Sequence, residues 1–174
     1  MTGTETKSKA WNIATVGIMI AVIEVCKVTL SFLPNIELTS FLLIMFTLYF
    51  GKKTLFAIPC FILIEILIYG FNIFWVISYF YIWPILFLLA LTLKKSSSPL
   101  SAALISGFFG LFFGLLCSFP YIFIGSESVS VGVGYAVGWW IAGIPWDIVH
   151  GISNFIIMLA LFRPVSRVLE KVTG

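Results

Sequence analysis

Asp147, His150, Gly151 and Asn154 follow one another at i, i+3, i+4 and i+7 inside the last long apolar stretch of the chain. On a helix that spacing stacks them along one face. The row contains the only His and the only Asp of the sequence. A carboxylate, an imidazole and a carboxamide on neighbouring turns can offer hydrogen bonds to one shared ligand. Asp147 and His150 could also pass a proton as an acid/base pair. Polar groups are costly to bury in an apolar helix, so such a row is a functional-site hypothesis by default. The bland alternative is packing, with His150 bonded to Asn154 or to a neighbouring helix. No glycine-rich phosphate loop, His-Glu-x-x-His pair or Gly-x-Ser-x-Gly elbow accompanies the row. The expectation is therefore ligand binding without catalysis, and without a metal or cofactor.

Composition sets the medium in which this face must work. The chain has 174 residues, 61% of them hydrophobic and 10% charged, and a mean hydropathy of +1.14. Soluble domains carry roughly 25% charged residues. The net charge of +3 comes from short Lys and Arg clusters between apolar runs. No basic face forms, which argues against a nucleic-acid partner. Cys26, Cys60 and Cys117 all fall within apolar runs, without metal or redox spacing, and read as buried free thiols. The polar start leads into an apolar run too long for a cleavable signal peptide.

Six apolar stretches approach the roughly 20 residues that a helix needs to cross a bilayer. The expected fold is one all-α membrane bundle over residues 1–174, with helices at about 11–33, 36–50, 54–71, 76–93, 100–124 and 135–162. Gly, Pro, Asn or Ser marks each connection. Lys7 and Lys9, Lys52 and Lys53, Lys94 and Lys95, and Arg163, Arg167 and Lys171 fall at alternate connections or ends. Six crossings put all these clusters on one side, which the positive-inside rule makes cytoplasmic, together with both termini.

That orientation sends polar and aromatic groups to the opposite, outer half. Asn35 and Glu37 precede the second helix, and Asn72, Trp75 and Tyr79 surround the start of the fourth. Trp139, Trp140 and Trp146 lead down the sixth to Asp147, His150 and Asn154. These eleven residues are the candidate contacts of an outward-facing pocket with aromatic walls and a polar floor. An ordinary interfacial belt would use the same Trp and Tyr residues. Glu24 and Lys27, three apart on the first helix, could form an ion pair, or Lys27 could instead reach Glu65 across the bundle. The loop 125–134, rich in Ser and Gly, reads as a mobile lid, and Pro59 and Pro145 as bends or interruptions of their helices. Ala10, Ala14, Gly17 and Ala21 make a stripe of small residues along the first helix, suited to close approach by another helix.

Taken together, Ala10-Trp-Asn-Ile-Ala14, Leu33-Pro-Asn-Ile-Glu37-Leu-Thr-Ser and Gly143-Ile-Pro-Trp-Asp147-Ile-Val-His150-Gly-Ile-Ser-Asn154 resemble the S components of energy-coupling-factor (ECF) vitamin transporters. The last stretch looks most like the cobalamin-type members, with pantothenate-type and other vitamin-specific members as near competitors. The resemblance implies a bacterial multi-pass membrane protein that captures a vitamin from outside for ATP-driven uptake. It implies a T component and two ABC ATPases as partners, with Ala10 and Ala14 docking on the T component and Gly17 and Ala21 extending the groove. Two other readings stay open: a self-sufficient secondary transporter using Glu24, Lys27 and Glu65 as an ion relay, and a membrane-embedded enzyme.

Overall fold

The computed structural model describes residues 3–94 and 98–173, with side chains from residue 10 onward. Lys95 and the side chains of Lys7 and Lys9, which enter the charge map, lie outside the described residues. The described residues are 85% helix and include no strand. Its elements are α1 (Gly3–Thr29), α2 (Thr39–Phe50), α3 (Lys52–Tyr69), α4 (Ile73–Ala90), α5 (Pro99–Leu111), α6 (Phe113–Ser118), α7 (Pro120–Phe123) and α8 (Val129–Thr173). Since α5, α6 and α7 follow one another as a single broken rod, six rods make up the bundle.

The rods are less alike than six equal crossings would be. Four are long and apolar enough to cross a membrane: Ala10–Leu30, Ile73–Ala90, Pro99–Phe123 and Val129–Thr173. The fifth, α3, is 18 residues long but carries Lys52, Lys53 and Glu65. The sixth, α2, has 12 residues, about 18 Å at 1.5 Å per residue, against a hydrocarbon core of roughly 30 Å. It begins at Thr39, three residues after the expected start.

Burial explains how so short a helix persists. Ten of the twelve α2 residues are buried, and α2 packs on α1, α3, α4, α5 and α8. Phe41, Leu43, Ile44 and Met45 are among the largest fully buried side chains. The helix is apolar all round, as a central rod must be. The connection 30–38 leads into its first turn, where Leu42 N–H bonds to the Leu38 carbonyl at 2.8 Å.

Helix α8 runs the other way, to 45 residues or about 68 Å. It starts at Val129, so most of the stretch read as a lid is helical. The reason lies in packing. A Cβ on Gly132 would collide with the Ile122 carbonyl, so this glycine permits contact between α8 and α7 rather than mobility. Pro145 and Pro164 sit inside α8, and Pro59 inside α3, without interrupting either. One proline removes one hydrogen bond, and the turns on either side hold the helix.

Proline does help to break the 99–123 rod. Pro120 has no N–H to give to Leu116, four residues earlier. The Leu116 carbonyl instead accepts from Phe119 N–H at 3.3 Å and from the Tyr81 hydroxyl. At the earlier break, Phe112 has φ −100° and ψ 3°. Close by, Gly114 gives its N–H to Asp147 Oδ1 at 2.9 Å.

Small residues bring this rod against α8. A Cβ on Gly110 would stand 2.9 Å from Gly151 Cα and N, and one on Gly107 would stand 3.0 Å from Phe155 Cβ. The stripe on α1 behaves differently: Ala10, Ala14, Gly17 and Ala21 are all exposed, and a Cβ on Gly17 would meet nothing within 4 Å. The bundle surface is apolar, with Leu67, Phe123 and Ile13 among its most exposed side chains. Cys60 belongs to that surface, contrary to the expectation of a buried thiol, while Cys26 and Cys117 are partly buried.

Candidate ligand-binding site

The connection 30–38 is held down by its own turns and by α8. Leu33 N–H bonds to the Leu30 carbonyl at 2.8 Å, and Ile36 N–H to the Leu33 carbonyl at 3.3 Å. Asn35 has φ +57°, a left-handed conformation that Asn tolerates better than most residues. Its carbonyl accepts from Ser153 Oγ at 3.2 Å.

Glu37 then caps α2. Its carboxylate accepts from Thr39 N–H at 2.5 Å, Ser40 N–H at 3.1 Å and Ser40 Oγ at 2.7 Å. His150 Nε2 lies 3.2 Å from Glu37 Oε1. Burial alone would raise the Glu37 carboxyl. The hydrogen bond and favourable electrostatics from His150, with the bonds from Thr39 and Ser40, outweigh it and bring the group down to about 2.

Above this floor lies a chamber of about 400 Å³, inside the roughly 300–1,000 Å³ range of small-molecule pockets. Asn35, Glu37, Trp75, Tyr79 and His150 line it, as do Lys27, Glu65, Tyr69, Trp83 and Phe113. Trp75, Tyr79 and Trp83 repeat every four residues along α4. Their neighbouring ring centroids are 5.2 Å apart in edge-to-face pairs. Phe113 meets His150 edge to face at 4.9 Å.

A second chamber, of about 450 Å³, shares Pro34, Asn35 and Phe113 with the first. Trp139, Trp146 and Asp147 line it together with Gly114, Cys117, Ala142 and Gly143. Trp139 also stacks on Tyr121, with centroids 5.3 Å apart. Asp147 Oδ1 is taken by Gly114, whereas Oδ2 has no partner.

Eight of the eleven candidate contacts thus border one chamber or the other. The remaining three do not. Asn72 is exposed and caps α4, accepting from Phe74 N–H at 3.0 Å. Trp140 is partly buried and borders neither chamber. Asn154 is fully buried, and its Nδ2 lies 2.9 Å from where a Gly110 Cβ would be. It shares the inner face of α8 with Asp147 and His150 but packs against the glycine stripe.

Three lining residues had readable signals. Trp83 continues the four-residue repeat of Trp75 and Tyr79, and Lys27 and Glu65 are ionisable residues inside apolar runs. Phe113 had none, being one Phe among 18. Lys27 pairs with Glu65 rather than with Glu24. Its ammonium also lies 5.4, 5.4 and 5.2 Å from the ring centroids of Phe61, Tyr69 and Tyr79.

Such an arrangement can hold a small organic molecule between aromatic faces and fix its polar edge. Among the described residues, no group of three His, Cys, Asp or Glu is placed to hold a metal ion. Compared with family models, with curated proteins and with solved structures, the chain matches none.

Proposed function

We propose that this chain is the ligand-capturing membrane subunit of an ECF-type vitamin importer, working in a bacterial cell membrane with a T component and two ABC ATPases. The observation that carries the reading is the first chamber, which is walled by rings, floored by Glu37 and His150, and set above the short α2. Besides the connection 30–38, Thr39, Phe113 and His150, its lining comes from the end of α1, the end of α3 and one face of α4. Lys52, Lys53 and Lys94 stand at the other ends of α3 and α4, so the positive-inside rule turns the chamber outward. The apolar surface of the bundle suits lipid.

Chamber size bears on the vitamin. A compact vitamin fits the first chamber alone. Cobalamin, the vitamin toward which the resemblance of the last stretch leans, would need both chambers opened across Pro34, Asn35 and Phe113. Gentle solubilisation followed by mass and absorbance measurement of the co-purified ligand decides between them, since a corrin spectrum is diagnostic of cobalamin. ATP-dependent uptake is expected only when the T component and ATPases are present.

A self-sufficient secondary transporter is the second reading. It is favoured by one observation: Glu24 is 8% exposed and lies against a second buried carboxyl, Glu65, with no N–H or hydroxyl donor among the described residues reaching its oxygens. Transport by the reconstituted chain alone, without ATPases, would establish that reading and overturn the first.

A further inference from the structure

We propose that the first chamber selects small molecules carrying a positively charged nitrogen, a narrowing of ligand class that rests on this chamber being the capture site. The charges around the site come from every element packed there. Helix α1 supplies Glu24 and Lys27, the connection supplies Glu37, α3 supplies Glu65 and Tyr69, α4 supplies Tyr79, and α8 supplies His150. Three carboxyl groups therefore face one ammonium and one imidazole.

Hydrogen bonding sharpens the imbalance. Glu37 is saturated by Thr39, Ser40 and His150. Glu65 is 2% exposed and gives one oxygen to Lys27, while no N–H or hydroxyl donor among the described residues reaches its Oε1. Behind it, Glu24 lies in side-chain hydrogen-bonding contact with Glu65 and near Lys27, and no N–H or hydroxyl donor among the described residues reaches either of its oxygens. Buried carboxyl oxygens without donors are costly, and a positive charge beside them offsets that cost.

Two further observations are independent of the acids. The rings of Phe61, Tyr69 and Tyr79 already surround an ammonium, that of Lys27, and ring faces attract cations. Trp75 and Trp83 extend the aromatic wall. Trp83 is 2% exposed and lines the chamber, and its Nε1–H lacks a partner. That single donor calls for one neutral acceptor on the ligand. The combined demand is for a cationic nitrogen compound with one acceptor group, small enough for about 400 Å³.

Three probes of one shape and different charge test this: 1-methylnicotinamide (a permanent cation), 3-methylbenzamide (neutral) and 3-methylbenzoate (an anion). Binding to the intact purified chain in nanodiscs is read by tryptophan quenching and by thermal shift. The cation is expected to bind about tenfold or more tighter than the neutral isostere, and the anion weakest. Glu65→Gln should bring the cation and the neutral probe within about twofold. Glu24→Gln, which leaves the Lys27–Glu65 pair in place, should reduce the same ratio and covers the case in which Glu65→Gln fails to fold.

The tightest binding by 3-methylbenzoate would make Lys27 the recognition group and overturn the proposal. Equal or undetectable binding of all three, or a preference unchanged in both variants, would overturn it as well. The importer reading fails separately: absence of ATP-driven uptake with intact cation selectivity removes the importer and leaves the selectivity standing.

Discussion

His150 Nε2 stands 3.2 Å from Glu37 Oε1, although the two residues are 113 positions apart in the chain. With the bond from Ser153 Oγ to the Asn35 carbonyl, this contact ties the connection 30–38 to the middle of α8. The floor of the first chamber and the polar face of the last helix are thereby one structural unit. His150→Ala should cost roughly 1.5–3 kcal/mol, the range for a hydrogen bond to a charged group. Glu37→Gln should cost less in the His150→Ala background than in the native chain, because contacting residues are not additive. Thermal unfolding of both single variants and the double variant in one detergent checks this, and strict additivity would show that the pair is not coupled.

The pH dependence of that coupling follows from Glu37, which lies in the connection ahead of α2. Its carboxyl is lowered from 4.5 to about 2, so folding favours the ionised form. The contribution is fully present above pH 4.5 and is lost as pH falls toward 2. The difference in melting temperature between the native chain and Glu37→Gln should shrink steadily from pH 4.5 to pH 3. A constant difference across the whole range would mean that the carboxylate gains nothing from its partners.

Glycines of similar appearance should respond in opposite ways. An alanine at Gly110 places its Cβ 2.9 Å from the Gly151 backbone, and a backbone cannot swing aside. Gly110→Ala should therefore lower stability by about 1–3 kcal/mol, as overpacking does. Gly17→Ala meets open space and sits in a helix, where Ala is intrinsically better than Gly by about 1 kcal/mol, so it should be neutral or stabilising. Gly17→Leu should likewise leave melting unchanged but prevent co-purification with a T component and its ATPases. If Gly17→Leu still assembles normally, the exposed stripe Ala10, Ala14, Gly17 and Ala21 is not the docking face.

Periodicity and turn residues reveal the all-helical class, the six rods and the shared inward face of Asp147, His150, Gly151 and Asn154, because a helix projects its own sequence onto its faces. They do not reveal how deep each rod sits. Whether α2 begins at residue 36 or at Thr39 depends on where the connection 30–38 finds partners, and those partners, His150 and Ser153, come from a helix more than a hundred positions away. Partner choice is equally non-local. Lys27 has Glu24 one turn away on its own helix but pairs with Glu65 on α3. Gly132 and Gly134 look like a loop because glycine serves both mobility and close approach, and only the Ile122 carbonyl beside Gly132 settles which role it plays.

The Lys27–Glu65 pair gives the last prediction. Glu65 is 2% exposed, so removing its cation leaves a carboxylate buried beside a second one, Glu24. Losing one partner of a buried pair costs about 3–5 kcal/mol, whereas replacing both with apolar side chains of similar size is often neutral. Lys27→Met should thus destabilise strongly, and Lys27→Met with Glu65→Met should recover most of the loss. Unfolding temperatures of the two variants, measured in the same nanodisc, give the comparison. A neutral Lys27→Met would mean that Glu65 carries no charge that Lys27 must compensate, in which case the acidic excess assigned to the chamber would be smaller by one. A double variant no better than the single would place the lost energy in the packing of the Lys27 stem against Phe61, Tyr69 and Tyr79 rather than in its charge.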